Sequence, residues 1–124
     1  METAPEQGAE PTHGEELAEI TNGIVGLFSK YYGRGPTRAK SYLLEDGYLV
    51  TVLRDTLTSV ERTLAEHGHA DQVRSVRLTF QEAMAEEFKG VVERGLGRKV
   101  LAYHSQLLID VDIGFELFVL EDEQ

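Results

Sequence analysis

The 124-residue chain has no cysteine. That absence excludes disulfides, thiolate nucleophiles and every cysteine-ligated zinc or iron–sulfur centre, and it fits a reducing, cytoplasmic setting. Long apolar runs are missing too: stretches such as Leu107 to Ile109 fall far short of the ~20 residues a membrane helix needs. The acidic start lacks the basic-then-apolar pattern of a signal peptide. The expectation is a cytoplasmic protein with no direct membrane insertion. Positive charge is scarce as well, with 12 lysines and arginines against 22 acids and a net charge of −10. Glu2, Glu6, Glu10, Glu15, Glu16 and Glu19 precede the first base, Lys30, and no base follows Lys99. Such a field disfavours DNA, RNA and anionic lipid, so no nucleic-acid partner is expected.

A chain of this length fits one domain that buries roughly 65% of its unfolded surface, enough for a core without staples. Residues 1–11 are rich in Pro, Gly, Gln and Glu and poor in apolar mass, which predicts a disordered acidic leader. One domain is then expected over residues 12–120, with an acidic tail at 121–124. Thr12 and Glu15 have capping-box spacing, and Leu17, Ile20, Ile24, Leu27, Phe28 and Tyr31 recur at helical intervals, predicting a helix that stops at Gly33. Residues 39–45 and 48–54 read as strands joined by a two-residue Asp46-Gly47 hairpin turn.

Thr58 and Glu61 repeat the capping-box spacing before a short helix that glycine ends at His67-Gly68. A longer helix follows, with Val73, Val76, Phe80, Ala83, Met84, Phe88 and Val91 as its buried stripe, until Gly95 and Gly97 stop it. Residues 98–107 and 113–120 give a second strand pair. The order αββααββ lacks the rhythm of a parallel sheet, so the prediction is a two-layer α+β domain: an antiparallel four-stranded sheet of two hairpins with three helices on one face. Phe115, Leu117 and Val119 alternate with Gly114, Glu116 and Phe118, and Phe118 and Leu120 keep the second face apolar too. That surplus predicts a homodimer through a sheet face or the long helix.

Against the acidic background, Lys30, Arg34, Arg38 and Lys40 crowd around Tyr31-Tyr32-Gly33-Arg34-Gly35-Pro36-Thr37-Arg38-Ala39-Lys40. Glycines and a proline make this a shaped loop. Guanidinium forks, a threonine hydroxyl and concave backbone N–H groups are the physics of an anion cradle, and Arg34, Gly35, Thr37, Arg38 and Lys40 are the expected anion ligands. The stretch lacks P-loop spacing, which leaves nucleotide hydrolysis unsupported. His67, His69 and Asp71 stand at alternate positions and could hold a divalent ion, although exposed capping residues are the simpler reading. His104 in an alternating strand could carry a proton, with a half-buried structural histidine as the default. Asp110 and Asp112 could offer oxygens to a cation, but two aspartates here most simply make a turn. No nucleophile–base arrangement stands out, so neither a catalytic residue nor a cofactor is expected.

The loop, the Leu57-Thr58 pair with Glu61 and Leu64, the Phe80 to Met84 segment, Gly97-Arg98-Lys99-Val100, and Asp110 and Asp112 ahead of Phe115-Glu116-Leu117-Phe118 together resemble the MpsC-like family. That family is named for the soluble C component of a sodium-translocating, membrane-potential-generating system, and the resemblance covers roughly residues 17–120. It implies a small non-enzymatic accessory or regulatory protein of the cytoplasm, working beside membrane-protein partners that handle cations or inorganic carbon. The alternative is a small-anion or nucleotide-phosphate binding protein that uses the basic loop.

Overall fold

Apolar residues three and four apart stabilise a helix in a small protein only if that face is covered. Helix α1 (Glu10–Tyr32) meets the condition with Ile20, Ile24 and Phe28, all buried in the main core. The computed structural model describes residues 10–122. The expected leader lies outside the described residues except for Glu10 and Pro11, which are helical, and residues 123–124 of the expected tail lie outside them too. Thr12 therefore sits inside the helix and is not its cap, because proline, lacking an N–H, is well tolerated in a first helical turn. Gly33 ends α1 at φ 79°, donating its N–H to the Ser29 carbonyl at 3.0 Å.

Strands β1 (Arg38–Leu44) and β2 (Tyr48–Arg54) form the first hairpin. Its connection has three residues where two were predicted: pairing ends at Leu44 with Tyr48, and the left-handed positions are Glu45 and Asp46, with φ 51° and 59°. Gly47 instead donates its N–H to the Leu44 carbonyl at 3.0 Å. Helix α2 (Ser59–Glu66) begins with the predicted capping box, Thr58 and Glu61 each accepting the other's backbone N–H. Helix α3 (Ala70–Leu96) ends at Gly97, whose φ of 66° suits glycine. Strands β3 (Val100–Leu108) and β4 (Ile113–Leu120) form the second hairpin.

The observed order αββααββ and the antiparallel four-stranded sheet agree with the predicted α+β class. The strands lie in the order β1-β2-β4-β3, so the two hairpins join through β2 and β4. Helices α1 and α3 pack against each other and against β1 and β3, respectively. A second small core of Leu57, Val73 and Ile109 seats α2 at the end of α3.

The structure decides which face of β4 is buried and corrects the expected stripe of α3. In β4 the buried set is Gly114, Glu116, Phe118 and Leu120, while Ile113, Phe115, Leu117 and Val119 are only half-buried and point away from the helices. The more apolar alternating set is thus the outer one, because Phe118 stacks on Tyr103 at 4.9 Å and Tyr103 on Phe88 at 5.8 Å, anchoring the other set under α3. On α3, Val76 and Ala83 are exposed and Val92 is fully buried, because the N-terminal part of the helix turns Val73, not Val76, toward Leu57 and Ile109.

The contact of α1 with α3 depends on glycine. A Cβ on Gly95 would lie 2.5 Å from Ile20 Cγ1, whereas one on Gly26 would meet nothing. Gly95→Val should therefore destabilise the protein by ~1–3 kcal/mol, and Gly26→Ala should stabilise it by ~0.5–1 kcal/mol as a helix-interior glycine replacement. Urea denaturation of both variants checks this pair of signs.

Candidate functional site

A row of polar side chains crosses the inner face of the sheet, where apolar contacts would be expected. Ser41, Thr51, Glu116 and Ser105 stand side by side on β1, β2, β4 and β3 by strand register. Thr21 of α1 spends its single hydroxyl proton on the Leu17 carbonyl at 2.8 Å. Ser41 must then donate to Thr21 at 2.6 Å, and Thr51 to Ser41 at 2.7 Å. The chain of hydroxyls satisfies itself up to Thr51.

Glu116, only 2% exposed, forms the other part of the row. Its Oε2 accepts from the Ser105 hydroxyl at 2.6 Å and its Oε1 from the Tyr103 hydroxyl. Burial pushes this carboxyl up to about 7, against the lowering effect of both hydroxyl donors and the distant charge of Arg77. Burial, reinforced by the Glu116 charge, also drives the Tyr103 phenol far above its ordinary value. Tyr103 therefore stays a hydrogen-bond donor to Glu116 around neutral pH.

A cavity of about 260 Å³ opens beside Glu116. Phe28 and Tyr32 of α1, Phe80 and Phe88 of α3, and Tyr103 of β3 supply its ring walls, and Arg77 stands at its side. Arg77 grips Glu61 in a fork, Nε to Oε2 at 2.8 Å and Nη2 to Oε1 at 2.6 Å, and Nη2 also donates to the Thr56 carbonyl at 2.9 Å. Its guanidinium lies 4.1 Å from the Tyr32 ring centroid. Burial works against the charge on both partners, but the paired hydrogen bonds prevail: Glu61 is held below its usual range and Arg77 above its own. The pair is an internally neutral wall.

Among the described residues no helix covers the outer face of the sheet. Across its strands run the rows Lys40–Val52–Phe115–Gln106 and Tyr42–Val50–Leu117–His104. Tyr42, Leu44, Tyr48 and Leu108, on the flanks of this apolar centre, are exposed. Arg38 and Lys40 of β1 and Arg54 of β2 form a basic corner.

The residues of the basic loop serve different ends. Arg34 donates from Nη1 to the Leu57 carbonyl at 2.6 Å and from Nη2 to Asp55 at 3.2 Å. Gly35 lies against α1, where a Cβ would stand 2.6 Å from Ser29 Oγ. Thr37 gives its backbone N–H to the Arg54 carbonyl at 3.0 Å. Arg38 and Lys40 alone share a surface, the outer face, where Lys40 Nζ sits 5.5 Å from the Tyr42 ring.

His67 Nδ1 lies 2.9 Å from the Thr63 carbonyl, His69 precedes α3, and Asp71 pairs with Arg74 at 2.8 Å. Asp112 holds the Thr56 and Leu57 amides through Oδ1, at 2.8 and 3.2 Å, while Asp110 is exposed. Among the described residues no cluster of three or more His, Asp or Glu is placed to hold a metal. His104 is exposed on the outer face, not half-buried. Sequence reading missed Glu116 as a site residue; the available signal was a lone acid inside the strand Ile113–Leu120, which is otherwise free of charge.

The model of one family, the Na+-translocating membrane potential-generating system (MpsC), matches residues 12–122. The chain belongs to the MpsC family. No curated protein and no solved structure matches it. No described helix of this MpsC chain is long and apolar enough to cross a membrane. Its Phe115-Glu116-Leu117-Phe118 segment divides between the two sites, Glu116 and Phe118 facing the cavity side and Phe115 and Leu117 the open face.

The raised Glu116 pKa makes stability depend on pH. Between the unfolded value of 4.5 and the folded value of about 7, the native state holds a proton that the unfolded chain has lost. Stability contributed by this group is therefore complete below 4.5, falls as pH rises and levels off above about 7, a change of roughly 3 kcal/mol. Glu116→Gln should remove that slope. Chemical denaturation of wild type and variant across this pH window checks it.

Proposed function

We propose that this MpsC protein is a non-enzymatic accessory module of a Na+-translocating membrane system, and that it works as a homodimer joined through the open sheet face. The observation that carries the reading is the uncovered apolar face itself. Val50, Val52, Phe115 and Leu117 form its centre, and a surface of that kind in a soluble domain marks an interaction site. The family supplies the setting beside membrane components.

Charge supports a second copy as the occupant. No carboxylate stands on the outer rows, although the chain as a whole carries −10. Two such chains repel each other elsewhere and least of all here. A face-to-face pair needs its two-fold axis in the plane between the sheets. With the axis across the strands, Arg38, Lys40 and Arg54 lie over Leu44, Tyr42 and Tyr48 of the second copy. With the axis along the strands, they lie over Leu108, Gln106 and Ile113. Neither arrangement sets a base against a base, and the first places two cations over tyrosine rings.

Sedimentation velocity tests the dimer. Wild type should sediment at twice the chain mass at micromolar concentration, and Phe115→Glu or Leu117→Glu should give a folded monomer. Wild type that stays monomeric up to ~100 μM, a dissociation constant at which little interface energy is left, would defeat the reading.

A second reading is favoured by one observation, the clustering of Arg38, Lys40 and Arg54 on one corner with no acid on their rows. That corner would bind a small anion such as phosphate or bicarbonate by charge-assisted hydrogen bonds. Arg38→Ala should then abolish anion-dependent stabilisation while changing intrinsic stability by no more than ~0.5 kcal/mol. Arg34→Ala should instead cost ~1–2 kcal/mol, because it leaves the Leu57 carbonyl and Asp55 without their donor. Thermal melts of the two variants with and without phosphate separate these roles.

A further inference from the structure

The cavity under α3 is not needed for either face-binding reading, and its polar groups are arranged in one direction. The Tyr103 and Ser105 protons are both spent on Glu116, one on each carboxylate oxygen. Each of those oxygens keeps a lone pair, and neither of the two hydroxyls has a second proton to offer. Of the two arginines in the lining, Arg77 is held to Glu61 and Thr56 through Nε and Nη2 and stacks on Tyr32, while Arg74 donates from Nη1 to Asp71. A ligand group that reaches the Glu116 oxygens must therefore bring its own N–H donors. Five of the lining side chains, Phe28, Tyr32, Phe80, Phe88 and Tyr103, are aromatic, and ring faces carry negative quadrupoles that favour a cation.

We propose that this cavity binds a small organic ammonium ion, with Glu116 as its counter-ion and the rings of Phe28, Phe80, Phe88 and Tyr103 around its apolar body. The volume of about 260 Å³ lies just under the range of ordinary ligand pockets, which suits one small amine and excludes a nucleotide. A carboxylate or phosphate beside Glu116 would meet another carboxylate, with both neighbouring hydroxyl protons already spent on it. A bare monovalent metal ion would need a fuller oxygen shell than Glu116, Ser105 and Tyr103 provide, and it would leave the aromatic volume empty. Gly114 keeps space open beside the carboxylate. A Cβ there would make only ordinary contacts, 3.7 Å to the Gln106 carbonyl oxygen and 4.0 Å to Leu53.

Binding should depend on pH because the groups around Glu116 act together: Ser105 and Tyr103 from β3, Thr51 from β2, Tyr32 from α1, and Arg77 from α3 with its partner Glu61 from α2. Of these, Glu116 is the group that changes charge near neutrality. Its ionised form should bind the ammonium ion and its protonated form should not.

The experiment is calorimetric titration of the full chain with benzylammonium, benzyl alcohol, benzoate and sodium chloride as probes. Benzylammonium should bind at about pH 8 and at least tenfold more weakly at about pH 5.5, the direction set by Glu116 ionisation. Glu116→Gln should weaken it by about tenfold or more, as expected for loss of a charged acceptor. Gly114→Val, which keeps the carboxylate but narrows the space, should also lose binding while staying folded by circular dichroism. Equal or tighter binding of benzoate or benzyl alcohol would overturn the proposal, as would benzylammonium affinity undiminished in Gly114→Val. Heat from sodium ions that Glu116→Gln abolishes, with none from benzylammonium, would assign the site to an inorganic ion and overturn the organic class. Should Glu116→Gln fail to fold, Gly114→Val and the pH dependence decide alone.

Discussion

The segment from Asp55 to Thr58 is the knot to which the helical elements and the second hairpin are tied, through hydrogen bonds that its backbone cannot make in a strand or a helix. Asp112, in the turn between β3 and β4, takes the amides of Thr56 and Leu57, and Asp55 returns its own N–H to the Asp112 carbonyl. Arg34 from the end of α1 covers the Leu57 carbonyl, and Arg77 from α3 covers that of Thr56. Arg62 of α2 bridges Asp55 and Asp112 at 3.2 and 3.3 Å. Buried backbone groups left unpaired are costly, so three arginines and one aspartate convert an irregular stretch into a junction of α1, α2, α3 and the second hairpin. Asp112 adopts φ 52° to do so. An aspartate tolerates that left-handed conformation better than most residues, and here its carboxylate is repaid with two amides.

The sheet separates two kinds of surface by simple alternation. One set of side chains meets α1 and α3 and includes the Ser41–Thr51–Glu116–Ser105 row; the other set, apolar at its centre and basic at one corner, is covered by no element among the described residues. Placing an ionisable group on the buried set is expensive. Tyr103 and Ser105 offset part of that cost, and the raised pKa of Glu116 shows that they do not offset all of it. A buried carboxyl left with spare acceptors beside a ring-walled cavity is how a protein keeps a site responsive near neutral pH. The Glu61–Arg77 pair next to it behaves in the opposite way, since both charges are fully forked and neither is free to respond.

Membership of the MpsC family and the sheet geometry bear on different levels of function. The family name ties the chain to Na+ translocation across a membrane, while no described helix can cross one. The open face and the Glu116 cavity are the two features on which the readings above rest.

Local signals in the sequence determined the local structure. The Thr58–Glu61 capping box, the glycine stops at Gly33 and Gly97, and the period-two pattern of Ile113–Leu120 each act within a few residues, and all three appear as the sequence foretold. So do the order αββααββ and the α+β class, which follow from those elements. The β2–β4 pairing, the face of β4 that goes inward and the separate uses of Arg34 and Arg38 were settled only in three dimensions. Each depends on partners distant in the chain: Phe118 is inward because Tyr103 and Phe88 stack beside it, and Arg34 turns away from its basic neighbours because Leu57 and Asp55 need a donor. Alternation along a strand specifies two faces, but which of them is core is decided by what the rest of the chain lays against it.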